Sequence, residues 1–296
     1  MSDLPLRIAM SGASGLVGTG LVARLEQAGH TVVPLVRPGA HRSGISWDPL
    51  AGTIDHAALR ACDAVIHLAG ESVAQRWTAA ARERILASRV QGTGLLARTL
   101  AEDPGRVRVL VSASGVALAG GTGDRPATEA DAAGTGFLAE VVRAWEGAAA
   151  PLAGGPIRTV FLRTGVVLTP QGGALAKMLP PFRLGLGGPV GDGRQWLPWI
   201  GLEDLHRLYL RAVIDAGLQG PIHAVTASIR QGDFARTLGR VLGRPTCLPL
   251  PAFAVGVLMG AMGRELLLES LCVAPHPLVS PQDPDLAALL RRQLGR

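Results

Sequence analysis

A glycine-rich turn near the start of the chain constrains the fold more than any other feature. Gly12, Gly15 and Gly18 form a G-x-x-G-x-x-G pattern that directly follows an apolar strand pattern and opens a helical one. In a dinucleotide-binding unit the first glycine makes the tight turn, the second lets the backbone approach a pyrophosphate, and the third lets the helix pack on the strand. The helix N-terminus attracts the phosphates. The motif predicts a dinucleotide site; an ordinary strand-to-helix turn is the competing interpretation.

Short apolar runs alternate with longer helical patterns over the first 168 residues. The runs are too short for ordinary helices and lack polar alternation, as in buried parallel strands. They are Leu6–Met10, Thr31–Val36, Ala64–Leu68, Val107–Val111 and Thr159–Leu162, with helical patterns at Leu16–Ala28, Thr78–Ala101 and Gly136–Ala149. This rhythm predicts an α/β fold with a Rossmann-type doubly wound parallel sheet.

After Pro170 the chain becomes rich in Gly and Pro, and helical patterns follow at Leu202–Ala216, Gly232–Leu242 and Ala252–Leu271. We therefore predict a nucleotide-binding core over residues 1–168. A smaller, mixed C-terminal part over residues 169–296 would cover the substrate and return some elements to the core sheet. The longest apolar stretch, Phe253 to Met262, predicts a buried helix.

The residue after the second strand indicates which dinucleotide is bound. Proteins that bind NAD usually place an acidic side chain there to hold the ribose hydroxyls. Here Arg37 follows Val36, and a cation suits a 2′-phosphate, which favours NADP(H) over NAD. The competing interpretation of Arg37 is a solvated loop charge. His41 and Arg42 either assist Arg37 or are solvated loop charges as well.

The composition excludes several classes of function. Only Lys177 among the 29 basic residues is a lysine and Tyr209 is the only tyrosine, which excludes a Tyr and Lys pair on one helix. The net charge of +6 is scattered, with no basic block, so nucleic acid is not an expected partner. Three cysteines at unrelated spacings indicate reduced thiols and no metal site.

The start of the chain and the length of its apolar runs indicate its location and its partners. Met1, Ser2 and Asp3 lead straight into the first strand without a leader pattern. No apolar run approaches the ~18 residues that span a bilayer. We expect a cytoplasmic protein with a small-molecule substrate and no membrane partner, and the sequence leaves a homodimer open.

Four ordered segments resemble the extended short-chain dehydrogenase/reductases. They are Gly12–Gly18, Asp63–Gly70, Val111–Ser114 and Leu162–Leu168. Further segments resemble the atypical branch called the NAD-dependent epimerase/dehydratase-like family with an extra C-terminal domain: Gly70–Ser72, Arg76–Trp77, Ser88–Val90, Gly134–Leu138, Gly172–Phe182 and Gln195–Trp196. The resemblance covers roughly residues 6 to 270. It implies a Rossmann fold, bound NADP(H) and mostly unassigned substrates.

The resemblance also carries over a set of cofactor-binding residues. Beside the three glycines and Arg37 it implies contacts from Ser14, Leu16, Val17, Leu68, Ala69, Gly70, Arg89, Ser112 and Arg163.

The chain departs from the family in the residues that transfer protons. Phe137 and Val141 occupy the places of the Tyr and Lys that usually cooperate on one helix, and neither can move a proton. The two tyrosines that commonly follow the serine strand are absent from the stretch Val116–Gly120. The ~10²–10⁴-fold increase in rate that general acid–base catalysis gives must therefore come from another group or be absent.

Three residues remain as catalytic candidates. Ser114 stands where the family serine orients a substrate oxygen, or it only closes the strand end by local hydrogen bonding. Glu71, after the strand Ala64–Leu68, is a general acid or base if burial raises its pKa; otherwise it is a solvated carboxylate or a partner for Arg76 or Arg89. Lys177 offers an ammonium with a tunable pKa, unless it was retained by chance.

Aromatic residues with a polar neighbour mark a candidate substrate pocket. Trp77 is a pocket lid or a helix-start anchor, and Phe137 stands at the family tyrosine's place. Gln195 and Trp196 lie in a Gly-rich segment and either form a wall of the pocket or pack in the core.

We predict an NADP(H)-dependent oxidoreductase or epimerase-like enzyme. The alternatives are a non-catalytic NADP(H)-binding sensor or scaffold, and a redox-neutral biosynthetic tailoring enzyme.

Overall fold

The computed structural model describes residues 4–296. The prediction for Met1 to Asp3 lies outside these residues. The N-terminal half contains these strands and helices in chain order: β1 Arg7–Ser11, α1 Leu16–Gln27, β2 Thr31–Val36, β3 Ile45–Asp48, β4 Thr53–Ile54, α2 His56–Arg60, β5 Ala64–His67, α3 Ala79–Glu102, β6 Val109–Gly115, α4 Phe137–Gly147, β7 Arg158–Thr164 and β8 Val166–Leu168.

The C-terminal half is mainly helical. Its elements are α5 Gly173–Arg183, β9 Trp196–Gly201, α6 Leu202–Ile214, β10 Gly220–Ala224, β11 Ala227–Arg230, α7 Gln231–Leu242, α8 Ala252–Gly263 and α9 Leu286–Leu294. A short π-helical turn, Arg264–Leu268, continues α8. None of the helices within residues 4–296 is both long and apolar enough to cross a bilayer.

The main sheet has eight strands in the order β10-β7-β6-β5-β1-β2-β3-β4. All neighbours are parallel except β3 and β4. The strand order reverses direction at β1, because β2 lies on one side of it and β5 on the other. Ligands bind at such a reversal, outside the carboxyl ends of the strands. The α/β doubly wound prediction is confirmed.

Apolar side chains cover both faces of this sheet. One face packs against α1 and α6 through Leu21, Leu25, Leu205 and Tyr209, and the other packs against α3 through Leu96 and its neighbours. Two buried faces explain why the strands lack polar alternation. Their carboxyl ends are thereby held at one rigid edge.

The C-terminal half contributes β10 to the main sheet, where it pairs in parallel with β7. It also forms a three-stranded sheet in the order β11-β9-β8. That sheet packs with α5, α7 and α9 around Phe234, Leu175 and Leu289. The small sheet and the helices α5 and α9 were not predicted, and α5 forms despite Pro180 and Pro181 because it buries Leu175, Leu179 and Phe182.

One prediction about this half is wrong. The apolar stretch Phe253 to Met262 forms helix α8, but the helix is not buried. Phe253, Val257 and Leu258 are 75, 81 and 76% exposed. Periodicity identified the helix, but a helix that is apolar on every side gives no signal of which side lacks a partner.

Candidate functional site

The glycine loop lies at the carboxyl end of β1, where backbone atoms leave no room for side chains. Gly12 has φ +69°, and a Cβ there would lie 2.9 Å from the carbonyl carbon of Leu68. A Cβ on Gly18 would collide with Gly12 O. Gly15 is the N-cap of α1, and neither a capping side chain nor an acidic residue occupies the first turn of this helix. The loop therefore presents free N–H groups to an anion.

A hydrogen-bonded serine fixes the floor of this loop. Ser11 Oγ accepts from Leu68 N (3.1 Å) and Ala69 N (3.2 Å). It lies 2.6 Å from His67 Nδ1. Burial lowers the pKa of His67 to about 4, so the ring is neutral and its Nδ1 accepts the serine proton. His67 Nε2 has no hydrogen-bond partner among the described residues. Leu68, Ala69 and Gly70 are thus held facing the glycine loop.

Two exposed arginines lie at the other end of the loop. Arg37 directly follows β2 and is exposed. Arg42 Nη2 lies 3.5 Å from Ser14 Oγ. Both cations are therefore at the edge of the sheet where a ribose 2′-phosphate would lie.

Arg89 supports the segment that follows β5. Its guanidinium donates to Glu71 O (2.9 Å) and Ile85 O (3.0 Å) and stacks on the Trp145 ring at 5.0 Å. Burial lowers the pKa of Arg89 to about 10, which still leaves it charged near neutral pH. The contacts hold the Gly70–Glu71 backbone in place.

The Glu71 side chain lies at the surface of this segment, with 40% of its area exposed. Its Oε1 accepts from Gln75 Nε2 at 3.0 Å and lies 3.9 Å from Arg84 Nε. The partner of the carboxylate is therefore Arg84, neither Arg76 nor the Arg89 side chain.

Ser114 belongs to a buried polar cluster. Its Oγ donates to Glu146 Oε1 at 2.6 Å. Arg163 Nε and Nη2 donate to the two oxygens of the same carboxylate at 2.8 and 2.7 Å. The Arg163 and Glu146 side chains are 11 and 13% exposed. Arg163 is committed to this ion pair, and Ser112 is fully buried with its hydroxyl bonded to Ala113 O.

Sequence reasoning missed Glu146, although a signal was available. Arg163 directly follows the apolar run Thr159–Leu162, and an arginine buried at the end of such a strand needs a carboxylate partner. The helix predicted just before that strand carries Glu140 and Glu146.

Aromatic side chains meet at the start of α4. The Trp77 and Phe137 rings are 4.9 Å apart in an edge-to-face arrangement. The Arg82 guanidinium lies 4.9 Å from the centre of the Phe137 ring. Val141 is 2% exposed and belongs to the packing beneath α4. The two positions of the usual proton-transfer pair therefore carry packing roles.

Residues 264–271, which we call the cover segment, join α4 to the small sheet. Glu265 accepts from the N–H groups of Phe137 (3.3 Å) and Leu138 (3.0 Å). Gln195 Nε2 donates to Leu267 O at 2.8 Å and to Val190 O at 3.0 Å. Trp196 N donates to Ser270 Oγ. Of the pocket candidates, Trp77 and Phe137 thus meet on one side of this segment and Gln195 and Trp196 on the other. Glu265 is a second residue that the sequence did not reveal.

The Trp196 side chain is tied to a loop of the core. Its Nε1 donates to Asp124 Oδ1 at 3.0 Å, and the Arg230 guanidinium stacks on its ring at 4.0 Å. Asp124 lies between β6 and α4, so the cover segment and the core loop meet at this tryptophan.

Lys177 is exposed on α5 and forms no ion pair within residues 4–296. The start of this helix lies against the glycine loop, because a Cβ on Gly172 would come 2.8 Å from Leu16 Cδ1. Lys177 therefore lies on a helix that begins at the candidate cofactor site. It is distant in sequence from Ser114 and Glu71.

A cavity of about 400 Å³ lies elsewhere and is lined by Asp63, Arg106 and Arg158 among others. These residues mark the amino ends of the strands, opposite the edge where α/β proteins bind ligands. Asp63 pairs with Arg106, and Arg158 donates to three backbone carbonyls. In the part of the chain that the structure describes, no cluster of three metal-ligating side chains occurs.

Comparisons with known proteins agree with this architecture. The family model "NAD dependent epimerase/dehydratase family" matches residues 8–222. Epimerase family protein Mb2239 of Mycobacterium bovis is 41% identical over 274 residues, covering 92% of this chain and 90% of that protein. The crystal structure of human epimerase family protein SDR39U1 (isoform 2) with NADPH superposes with a TM-score of 0.84 at 33% identity, covering 98% of this chain and 100% of that one.

A more distant structure shares the fold alone. UDP-N-acetylglucosamine 4-epimerase from Bacillus cereus superposes with a TM-score of 0.75 at 15% identity. The resemblance seen in the sequence is confirmed by the family match, and the chain belongs to the NAD dependent epimerase/dehydratase family.

Proposed function

We propose that the chain is an NADP(H)-dependent oxidoreductase or epimerase-like enzyme that acts on a small organic substrate without a Tyr and Lys pair. The observation that carries the proposal is the glycine loop: backbone atoms fill the space of a side chain at Gly12 and Gly18, and the first turn of α1 is uncapped. Human SDR39U1, which aligns over nearly the whole chain, was crystallised with NADPH.

The residues of the site fit a dinucleotide with a 2′-phosphate. The N–H groups at the start of α1 would bind the pyrophosphate. Arg37 and Arg42 would bind the 2′-phosphate by charge-assisted hydrogen bonds. No acidic side chain replaces them at the end of β2, so a bare ribose diol has no carboxylate partner there. When bound, the nicotinamide supplies hydride exchange with a substrate carbon.

Ser114 would orient the substrate through its oxygen lone pairs. Its proton is donated to Glu146, whose carboxylate also accepts from Arg163. The serine is therefore an acceptor toward a ligand, which suits a substrate hydroxyl better than a carbonyl. Glu71, beside the segment after β5, would take or give the proton directly or through water. Lys177 is the other candidate to take or give this proton, from the α5 side of the cofactor site.

Nucleotide titration tests the proposal. NADPH, NADP⁺ and NADH are titrated into the protein, followed by calorimetry, with Arg37→Asp and Arg42→Asp and with Arg98→Asp as an exposed control. Losing a hydrogen bond to a charged phosphate costs about 10- to 100-fold in affinity. We expect that loss for NADPH in the first two variants, unchanged NADH binding, and no effect of the control. If no nucleotide binds, the proposal fails.

A non-catalytic NADP(H)-binding module is a second candidate. The packing of Phe137 and Val141 favours it, because both proton-transfer positions are occupied by apolar side chains. A substrate screen with Glu71→Gln, Ser114→Ala and Lys177→Met separates the two. If one of them abolishes a measured turnover while NADPH affinity stays unchanged, the protein is an enzyme.

A further inference from the structure

Helix α8 and two neighbouring loops expose a set of large apolar side chains. On α8, Phe253, Val257 and Leu258 are 75, 81 and 76% exposed. Leu184 and Leu186, in the loop after α5, are 73 and 57% exposed, and Leu248, before α8, is 50% exposed. We call these six residues the apolar surface. Single exposed apolar residues need no explanation, but a contiguous group indicates a binding surface.

The two loops run side by side and lead into α8. Leu250 N donates to Pro189 O at 2.8 Å, and Gly191 N donates to Leu250 O at 2.9 Å. A Cβ on Gly185 would lie 3.5 Å from Pro245 Cγ. Because Pro251 is the N-cap of α8, the paired loops continue directly into the helix. The segments that carry the apolar surface therefore lie side by side and form what we call the strip.

The charges inside the segments that form this strip are all positive. The sequence has no Asp or Glu between Gly172 and Gly191, nor between Phe234 and Arg264. Five cations in or beside these segments form no ion pair within the described chain: Lys177, Arg183, Arg240, Arg244 and Arg264. Three carboxylates border these segments: Asp192 accepts from Arg194 N, Asp233 pairs with Arg236, and Glu265 caps α4. The strip thus combines apolar side chains with unpaired cations.

This combination matches an anionic lipid bilayer better than a second copy of the chain. A symmetric dimer would bring the same cations face to face. The regular part of α8, which runs from Ala252 to the residue before the non-helical Gly260, is about 12 Å long, too short to span a bilayer but able to lie in the headgroup layer. Exposed apolar residues flanked by Arg and Lys bind such surfaces by apolar burial and attraction to anionic lipids.

We propose that the apolar surface and its flanking cations bind the surface of an anionic membrane peripherally. This goes beyond the sequence-based expectation of no membrane partner, which rested on the length needed to span a bilayer. The inference stands apart from the proposed function, since it does not depend on the cofactor site.

Co-sedimentation with vesicles tests the proposal. The full chain is mixed with vesicles of phosphatidylcholine alone, or of equal parts phosphatidylcholine and phosphatidylglycerol, at low and high salt. One variant combines Phe253→Ser, Val257→Ser and Leu258→Ser, and another combines Arg183→Glu and Arg244→Glu. The controls are Leu50→Ser, at a residue 83% exposed elsewhere, and Arg98→Glu.

We expect binding to the phosphatidylglycerol vesicles that weakens with salt, and at least about a tenfold loss of affinity in both combined variants. The controls should bind as the unaltered chain does, and unfolding curves should show that every variant is folded. The proposal is overturned if the chain does not bind anionic vesicles, or if the combined variants bind like the controls. It is also overturned if the chain sediments as a dimer that the serine variant dissociates.

Discussion

Removing the Glu146 carboxylate should strongly destabilise the fold, because it would leave the Arg163 charge buried without a partner. Three hydrogen bonds of 2.6 to 2.8 Å end on this carboxylate. The Arg163 and Glu146 side chains are only 11 and 13% exposed. Breaking a buried pair by deleting one partner costs about 3–5 kcal/mol. For a chain of this size that corresponds to a fall in melting temperature of roughly 5–8 °C.

Urea unfolding followed by circular dichroism measures the effect in Glu146→Ala, with Glu146→Gln as the conservative variant. Glutamine keeps an acceptor oxygen but not the charge, so we expect an intermediate loss of about 1–3 kcal/mol. Asp103→Ala is the matched control, since its pair with Arg60 is 44 and 57% exposed. Exposed pairs contribute about 0–1 kcal/mol.

A double-mutant cycle decides whether the cost comes from the orphaned charge. Replacing both partners, as Glu146→Leu with Arg163→Met, removes the charge and the cavity together and should recover most of the loss. We expect a coupling energy of at least about 2 kcal/mol, within the range for residues that share a network. Additive losses, or a loss in Glu146→Ala no larger than in the exposed control, would refute the reasoning.

Three further outcomes follow from single residues. His67 has its pKa lowered from 6.5 to about 4 by burial, so in that pH range the unfolded chain binds a proton that the folded chain excludes. Stability should therefore fall by up to about 3 kcal/mol as the pH drops through this window, and His67→Asn should flatten the curve; parallel curves would contradict this. Gly18→Ala should cost about 1–3 kcal/mol and weaken NADPH binding, whereas Gly147→Ala, with open space at its Cβ, should not destabilise. Glu265→Ala should cost about 1 kcal/mol in thermal unfolding by uncapping α4, and Glu265→Gln less; equal losses would argue against the cap.

Local patterns were enough to predict the core strands and the glycine loop. Strands β1, β5 and β6 are almost wholly buried and β2 and β7 are partly buried, and a short continuous apolar run identifies such strands. The sequence shows the steric constraint at Gly12 and Gly18 directly, since neither position has room for a side chain. These features depend on neighbours close in sequence, which a single sequence records.

The rest depends on contacts between distant segments. Glu265 caps a helix that begins 128 residues earlier, and Gln195 bonds a carbonyl 72 residues away. The small sheet contains Pro198 in β9, a residue that reads as a strand breaker, and it is held by pairing with β8 and β11. The exposure of α8 likewise depends on what lies around it. No spacing rule links such residues, so the cover segment could not be predicted.

The start of α4 brings together the features that separate this chain from a Tyr–Lys enzyme. The ring of Phe137 packs against Trp77 and Arg82, and its N–H is capped by Glu265. The helix end that would deliver a proton in a Tyr–Lys enzyme here anchors the cover segment. Under the proposed function, a proton must then reach the substrate from Glu71, from Lys177 or from water. Under the same proposal, Glu265 would hold Phe137 in place as a wall of the substrate pocket.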